Sequence, residues 1–408
     1  MSPPFGLNRI GFLATACSLR LPPSSGQPGQ TLTIVHVNDV HSHLAPESGA
    51  FEFEVDGVPT QAGWGGFARV TQAFDLAGSD VLKLHGGDAL QGTLYYTLYK
   101  GEADAQLMNT VCFDAMVVGN HEFDDSDVGL QRFIAALHSG TCKTPVLGAN
   151  IHPQVGTPLA PQTPRDWFKA SVIKHVSGMN VGLIGVTDRT KAAGSTRALK
   201  STQFEDEATA IQREVDRLKA QGIDRIVVLS HMGFTHDLAV IPRVSDIDVV
   251  IGGDSHTLQG DFASLGLAPN GQPLPYPYLT RNKNGDTVCV AHAWEYAKAI
   301  GELKVEYAPD GRVQACGGRA RLLIGNAFQQ KNTQGKWAPV DEPRRQHIAQ
   351  HLARNPNVLL TEGAVRAEAV LTAFSERIDQ HKATRIARLS EDLCFVRVPG
   401  ESVNRNGS

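Results

Sequence analysis

The chain has 408 residues, with 38 Lys and Arg against 42 Asp and Glu, for a formal net charge of -4. That length exceeds one ordinary domain and suits two or three. The charge balance excludes the basic footprint of a nucleic-acid binder, nothing in the composition points to a membrane surface, and a small-molecule partner fits best.

The N-terminal stretch MSPPFGLNRIGFLATACSLRLPPSSGQPGQ carries Arg9, a short apolar run to Leu19 interrupted by Gly11 and Thr15, and a Pro/Gly/Ser-rich tail. Residues 1–30 therefore read as a signal or leader, which places the protein in the periplasm or outside the cell. A disordered leader or a misplaced start is the alternative. The ATAC that ends at Cys17 is like a lipoprotein cleavage box without its usual leading Leu.

From residue 31 the chain alternates strands with helical stretches. TLTIVHV, DVLKLHG, FDAMVVG, TPVLGAN, NVGLIGV, RIVVLSH and DVVIGG are the predicted strands. Between NVGLIGV and RIVVLSH lies EDEATAIQREVDRLKAQG, whose Ala208, Ile211, Val215 and Leu218 recur at helical spacing. Such alternation argues for an α/β layered domain with largely buried strands. Further on, AIGELKVEYAPDGRVQACGG reads as a hairpin turning at Asp310-Gly311. After residue 328 the chain becomes polar and helix-forming, with few apolar positions, and reads as a connector; SEDLCFVRVPG then begins like a strand.

Six cysteines are too few for a disulfide scaffold, and none form a CxxC pair. Cys112, Cys142, Cys289 and Cys316 leave two readings open, disulfides in an oxidising compartment or buried free thiols. Tyr95, Tyr96, Tyr99 and Trp294 read as core aromatics.

The chemistry collects at strand ends. After TIVHVN come Asp39 and His41, after LKLHGG comes Asp88, and after AMVVG come Asn120, His121 and Glu122. IVVLS then ends in His231, and VVIGG leads to Asp254 and His256. Each alone could be a turn residue, a helix cap or a satisfied core histidine. Five strands delivering Asp, Asn or His at their carboxyl ends, where open α/β sheets place ligands, make that bland reading poor. Carboxylate, imidazole and amide oxygen suit Mn, Zn, Fe or Mg, and the absence of thiolate disfavours structural zinc. Two ions roughly 3.5 to 4 Å apart need a shared anionic bridge, which Asp88 could supply.

VNDVHSHL, LHGGDALQGT, VGNHEFD, LSHMG and GGDSH, in this order, resemble the calcineurin-like metallophosphoesterases. Within them the chain is most similar to the 5'-nucleotidase branch, which includes UDP-sugar hydrolases and NAD nucleotidases. The resemblance implies a four-layer α/β/β/α sandwich over residues 31–328, a helical linker over 329–385, and at 386–408 the start of an incomplete nucleotide-binding domain. It implies two divalent metal ions (Mn, Zn, Co or Mg). Asp39 and His41 would hold the first, Asp88 would bridge, Asn120 and His231 would hold the second, and Asp254 and His256 would each serve one ion. His is commoner where Asp254 stands, and an extra carboxylate tilts the site towards Mn or Mg.

In that reading a hydroxide held by both ions attacks phosphorus in line. His121 stabilises the transferring oxygens or protonates the leaving group, oriented by Asp124 three residues on; a helix cap is the alternative role for Asp124. The expected activity is hydrolysis of 5'-mononucleotides, or of the pyrophosphate in NAD or UDP-sugars. Two alternatives stand beside it: a thiosulfate-processing hydrolase on the same core, and a metal-binding fragment without nucleotidase activity.

Overall fold

The computed structural model describes residues 30–383 apart from 48, 162–165 and 269–270. The proposed leader, with Cys17, and the segment 386–408 lie outside the described residues. All seven predicted strands are present, and they belong to two stacked sheets.

In the larger sheet Gln30–Val37 is central. It pairs in parallel with Leu82–His85, which continues through Ala115–Val117 to Val146–Leu147. On its other side it pairs antiparallel with Ala299–Tyr307, followed by the long strand Val313–Lys331 and the hairpin Val58–Trp64 and Phe51–Val55. The second sheet orders Tyr278–Arg281, Thr287–Ala291, Val249–Gly252, Arg225–His231, Met179–Thr187 and Ser171–Val176.

The strands are apolar on both faces because both faces are covered. In Gln30–Val37, Leu32 and Ile34 point into the layer between the sheets, where they meet Val227, Leu229, Val249 and Ile251 of the second sheet. Val35 and Val37 point outward, onto a layer formed by helices Phe67–Leu76, Glu102–Val111 and Ser126–Leu137. Arg225–His231 divides in the same way, with Ile226 and Val228 meeting helix Glu207–Lys219. That helix starts where Asp206 accepts the Thr209 N–H, and it buries the four predicted positions Ala208, Ile211, Val215 and Leu218. The result is the expected α/β/β/α sandwich.

The hairpin turns as predicted, with Ala308 N–H bonded to Arg312 O, and its arms Ala299–Tyr307 and Val313–Lys331 pair antiparallel. Cys289 in the second sheet is bonded to Cys316 in the first, across 6.4 Å between Cα atoms. Cys112 and Cys142 form a second disulfide, so four of the six thiols are paired.

The polar segment after residue 328 packs closely on the sandwich. Trp337–Pro339 and Val358–Leu360 both pair with Val313–Lys331. Helix Glu342–Ala353 buries Ile348 and Leu352, and helix Val365–Ala383 lays Ala367, Leu371, Phe374 and Ile378 into the core of the outer helical layer. Tyr95 and Tyr99 donate to Ser375 Oγ and Phe374 O of that last helix. Tyr95, Tyr96 and Trp294 are buried, as expected. Among the described residues no helix is long and apolar enough to cross a membrane.

Candidate metal centre

The ligand-bearing loops leave the carboxyl ends of strands in both sheets and meet at the seam between them. Gly253 of the second sheet lies against Gly86 of the first, where a Cβ would collide with the Gly86 carbonyl. Loop 39–42 runs beside loop 87–89, joined by N–H bonds from Asp39 to Gly87 O, His41 to Asp88 O and Ser42 to Ala89 O, at 2.8 to 3.0 Å.

These loops hold their polar residues in a backbone conformation that side chains rarely adopt. Asp39, His41, Asp88, Asp254 and His256 all have positive φ, between 49° and 76°. Each such residue costs on the order of 1–3 kcal/mol, a strain that persists only where the surroundings enforce it and that concentrates at functional sites. Gly119 is required for close approach, since a Cβ there would strike Asp88 Oδ1.

The donors converge. His41 Nε2 stands 3.0 Å from His256 Nε2, 3.6 Å from Asp88 Oδ2 and 3.8 Å from Asp39 Oδ1. His231 Nε2 lies 3.0 Å from Asp88 Oδ2 and 3.9 Å from Asp39 Oδ1. Three overlapping groups result: Asp39, His41 and His256; His41, Asp88 and His121; Asp39, Asp88 and His231. In each histidine Nδ1 is already engaged. It meets Leu90 O in His41, Gly86 O in His231, Glu295 in His256 and Asp124 in His121, which presents Nε2 to the cluster. Imidazoles tied in this way at one nitrogen are ready to bind a metal through the other.

Two further observations fit a cation. Asn120 Oδ1 is buried and has no hydrogen-bond partner among the described residues. Buried orphan acceptors cost free energy unless something satisfies them. The electrostatics agree. Burial depresses the His231 imidazole, yet Asp88, Asp39 and Asp254 draw its pKa well above the ordinary value. Burial likewise opposes His256, which Glu295 and Asp39 raise. Burial pushes the Asp88 carboxyl up, but His231, His41 and His121 outweigh it and hold the group well below the usual range. The cluster attracts positive charge, and divalent ions are the species its donors suit.

Asp254 takes a different position from the other Asp and His residues predicted as ligands. Its N–H donates to Asp39, while its carboxylate Oδ2 lies 2.5 Å from Lys191 Nζ. It joins none of the three groups.

His121 and Asp124 meet as expected. Nδ1 is 2.7 Å from Asp124 Oδ2, and helix Ser126–Leu137 has Asp125, not Asp124, at its N-cap. Burial lowers the His121 pKa, but the Asp124 hydrogen bond and the charges of Asp88, Asp124 and Glu122 raise it to about 9. In the metal-free chain the ring therefore keeps its second proton at neutral pH.

Sequence reasoning gave no role to three supporting residues. Asn38 donates to Asp39 Oδ2 and Trp294 O and accepts from Ala293 N–H, pinning the first ligand to a distant loop. Glu122 accepts backbone N–H groups from Asp88, Ala89, Leu90 and Gly119, so it shapes the loop that carries Asp88. Both sit inside quoted motifs, next to ligands. Glu295 does not, and nothing in its local sequence marks it.

Residues 32–258 match the model of the calcineurin-like phosphoesterase family. The chain belongs to this family. It is 36% identical over 351 residues to the protein named "Probable 5'-nucleotidase" of Treponema pallidum, a match covering 85% of this chain and 57% of that protein. Among solved structures, the NAD nucleotidase of Haemophilus influenzae superposes with a TM-score of 0.77 at 32% identity, over 86% of this chain and 68% of that one. The 5'-nucleotidase precursor of Thermus thermophilus follows with 0.70 at 30% identity, over 88% and 61%. The chain thus spans little more than half the length of the Treponema relative.

Proposed function

We propose that the protein is a dimetal-dependent phosphohydrolase of nucleotides, acting on 5'-monophosphates or on the pyrophosphate of NAD or UDP-sugars. The observation that carries this reading is the convergence of three Asp/His groups at the seam of the two sheets, with Asn120 Oδ1 buried beside them without a hydrogen-bond partner among the described residues. The relatives named for 5'-nucleotide and NAD hydrolysis support the substrate class.

Asp39, His41 and His256 would hold one ion and Asn120 and His231 the other, with Asp88 shared and Asp254 beside the second. Bound there, two divalent ions would neutralise phosphoryl charge and lower the pKa of an attacking water. The chain's own residues do the rest. His121, kept protonated by Asp124, delivers a proton from Nε2 to the departing oxygen. Asp124 holds the ring by its Nδ1–H, and the Asp88 carboxylate accepts the His121 backbone N–H at 2.9 Å, so acid and bridge keep a fixed spacing.

We place the catalytic unit at residues 31–328, followed by a largely helical segment. The two disulfides support a periplasmic or secreted location, since such bonds persist in oxidising compartments. The test is product release from AMP, NAD, UDP-glucose and bis-p-nitrophenyl phosphate, using metal-stripped protein supplied with Mn, Co, Zn or Mg. Metal-dependent turnover of at least one nucleotide is expected. Folded protein inactive on every substrate with every metal would overturn the proposal.

A further inference from the structure

Of the three histidines proposed as ligands, His41, His231 and His256, His256 is the most exposed, and it sits on a loop with left-handed backbone, so something must hold its ring. Its Nδ1 lies 2.6 Å from Glu295 Oε2. The other carboxylate oxygen, Oε1, lies 2.9 Å from Lys298 Nζ. Lys298 is itself enclosed: its ammonium stands 4.7 Å from the ring centroid of Tyr296, 4.9 Å from that of Trp294 and 5.2 Å from that of Trp64. A cation among three aromatic faces and one carboxylate has little freedom to leave.

The segment bearing these residues is pinned to the site at both ends. Trp294 N–H donates to Thr257 O in the His256 loop, and Tyr296 N–H donates to Asp39 O in the first ligand loop. Asn38 adds a bond to Trp294 O at 2.7 Å. Trp294, Tyr296 and Ala297 all have positive φ, a contorted path that these bonds enforce and that brings the Glu295 side chain back onto His256.

We propose that Glu295 is a positioning residue for the metal centre, acting through His256, and that the aromatic-caged Lys298 fixes Glu295 in turn. Glu295 accepts the Nδ1–H of His256. This sets the tautomer, turns Nε2 towards Asp39 and His41, and makes that nitrogen a better donor. The proposal rests on His256 being a ligand, as set out under the proposed function.

A double-mutant cycle on the full chain separates the two. Mn2+ would be titrated into metal-stripped wild type, His256→Ala, Glu295→Ala, Glu295→Gln, Lys298→Met, and the His256→Ala/Glu295→Ala pair, with melting curves to show that each is folded. Glu295→Ala is expected to weaken one of two Mn2+ binding steps by about 10- to 100-fold. Glu295→Gln, which keeps an acceptor without the charge, should fall between, and Lys298→Met should lose less than Glu295→Ala. In the His256→Ala background, Glu295→Ala should change nothing further. Equal weakening in both backgrounds would overturn the proposal, because Glu295 would then act by general charge. Wild-type binding in Glu295→Ala alongside weak binding in His256→Ala would overturn it while leaving the metal assignment intact. Unchanged binding in His256→Ala would overturn both.

Discussion

The residues of the metal centre are held in two different ways. His41 and His231 are tied through Nδ1 to the backbone carbonyls of Leu90 and Gly86. Asp254 and His256, two residues apart on the last loop, are tied instead to the charged side chains of Lys191 and Glu295, each of the opposite sign. A backbone carbonyl cannot be removed by substitution, so the first half of the site is fixed by the fold itself. The last loop depends on side chains from elsewhere, and there affinity and metal preference can change without disturbing the sandwich.

The largest effect is expected in the fixed half. Asp88 lies within reach of His41, His231 and the His121 N–H, so Asp88→Ala should abolish binding of both ions and lower activity by at least about a thousandfold. His121→Ala should cost about 10²- to 10⁴-fold in turnover while Mn2+ stoichiometry stays at two. Metal content and turnover measured together check the pair. Equal metal loss in both variants would show that His121 belongs with the ligands.

A smaller effect, in a direction the fixed half cannot show, is expected at Lys191. In the present arrangement Lys191 neutralises Asp254 and places a positive charge beside the site. Lys191→Met leaves that carboxylate uncompensated, and one Mn2+ step should tighten by about threefold to tenfold, the scale of one screened charge near a partly exposed site. Asp254→Ala in the same background should cancel the gain. If Lys191→Met instead weakens Mn2+, Lys191 orients Asp254 as a ligand, and both residues of the last loop are held for the same purpose.

The same division explains what the sequence could disclose. The strands and their polar ends were legible because buried parallel strands are uninterrupted apolar runs and the turns that follow them are rich in glycine, so Asp39, Asp88, Asn120, His231 and His256 stood at visible punctuation. Glu295 and Lys191 carry no such mark. They lie 39 and 63 residues from their partners, where a single charged residue looks like any solvated one. Helix Val365–Ala383 was partly hidden for a related reason. Its buried positions Ala367, Leu371, Phe374 and Ile378 keep helical spacing, but the stripe is narrow and surrounded by charge. That it packs on helices Phe67–Leu76, Leu94–Tyr99 and Glu102–Val111 follows from tertiary structure alone.

A last effect, on stability and not on metal binding, concerns a carboxylate that accepts a backbone N–H, with the Arg225 charge nearby. Asp248 enters strand Val249–Gly252 at the end opposite the site, and its Oδ2 accepts the Ile226 N–H at 2.8 Å. Burial pushes its carboxyl up to about 8, against a smaller lowering from the N–H bond. Because the folded value lies above the unfolded one, the folded chain keeps a proton that the unfolded chain releases. Asp248 therefore costs nothing below about pH 4, and stability is lost as pH rises from about 4 to about 8. Asp248→Asn keeps an oxygen for the Ile226 N–H and cannot ionise. Urea unfolding at pH 5 and pH 9 should show the variant gaining on wild type at the higher pH by about 1–3 kcal/mol, the cost of burying a poorly compensated polar group. A constant difference between the two pH values would mean that Asp248 is as well compensated by backbone as Asp88 is by its histidines, and the distinction between backbone-held and charge-held groups would then apply to the imidazoles alone.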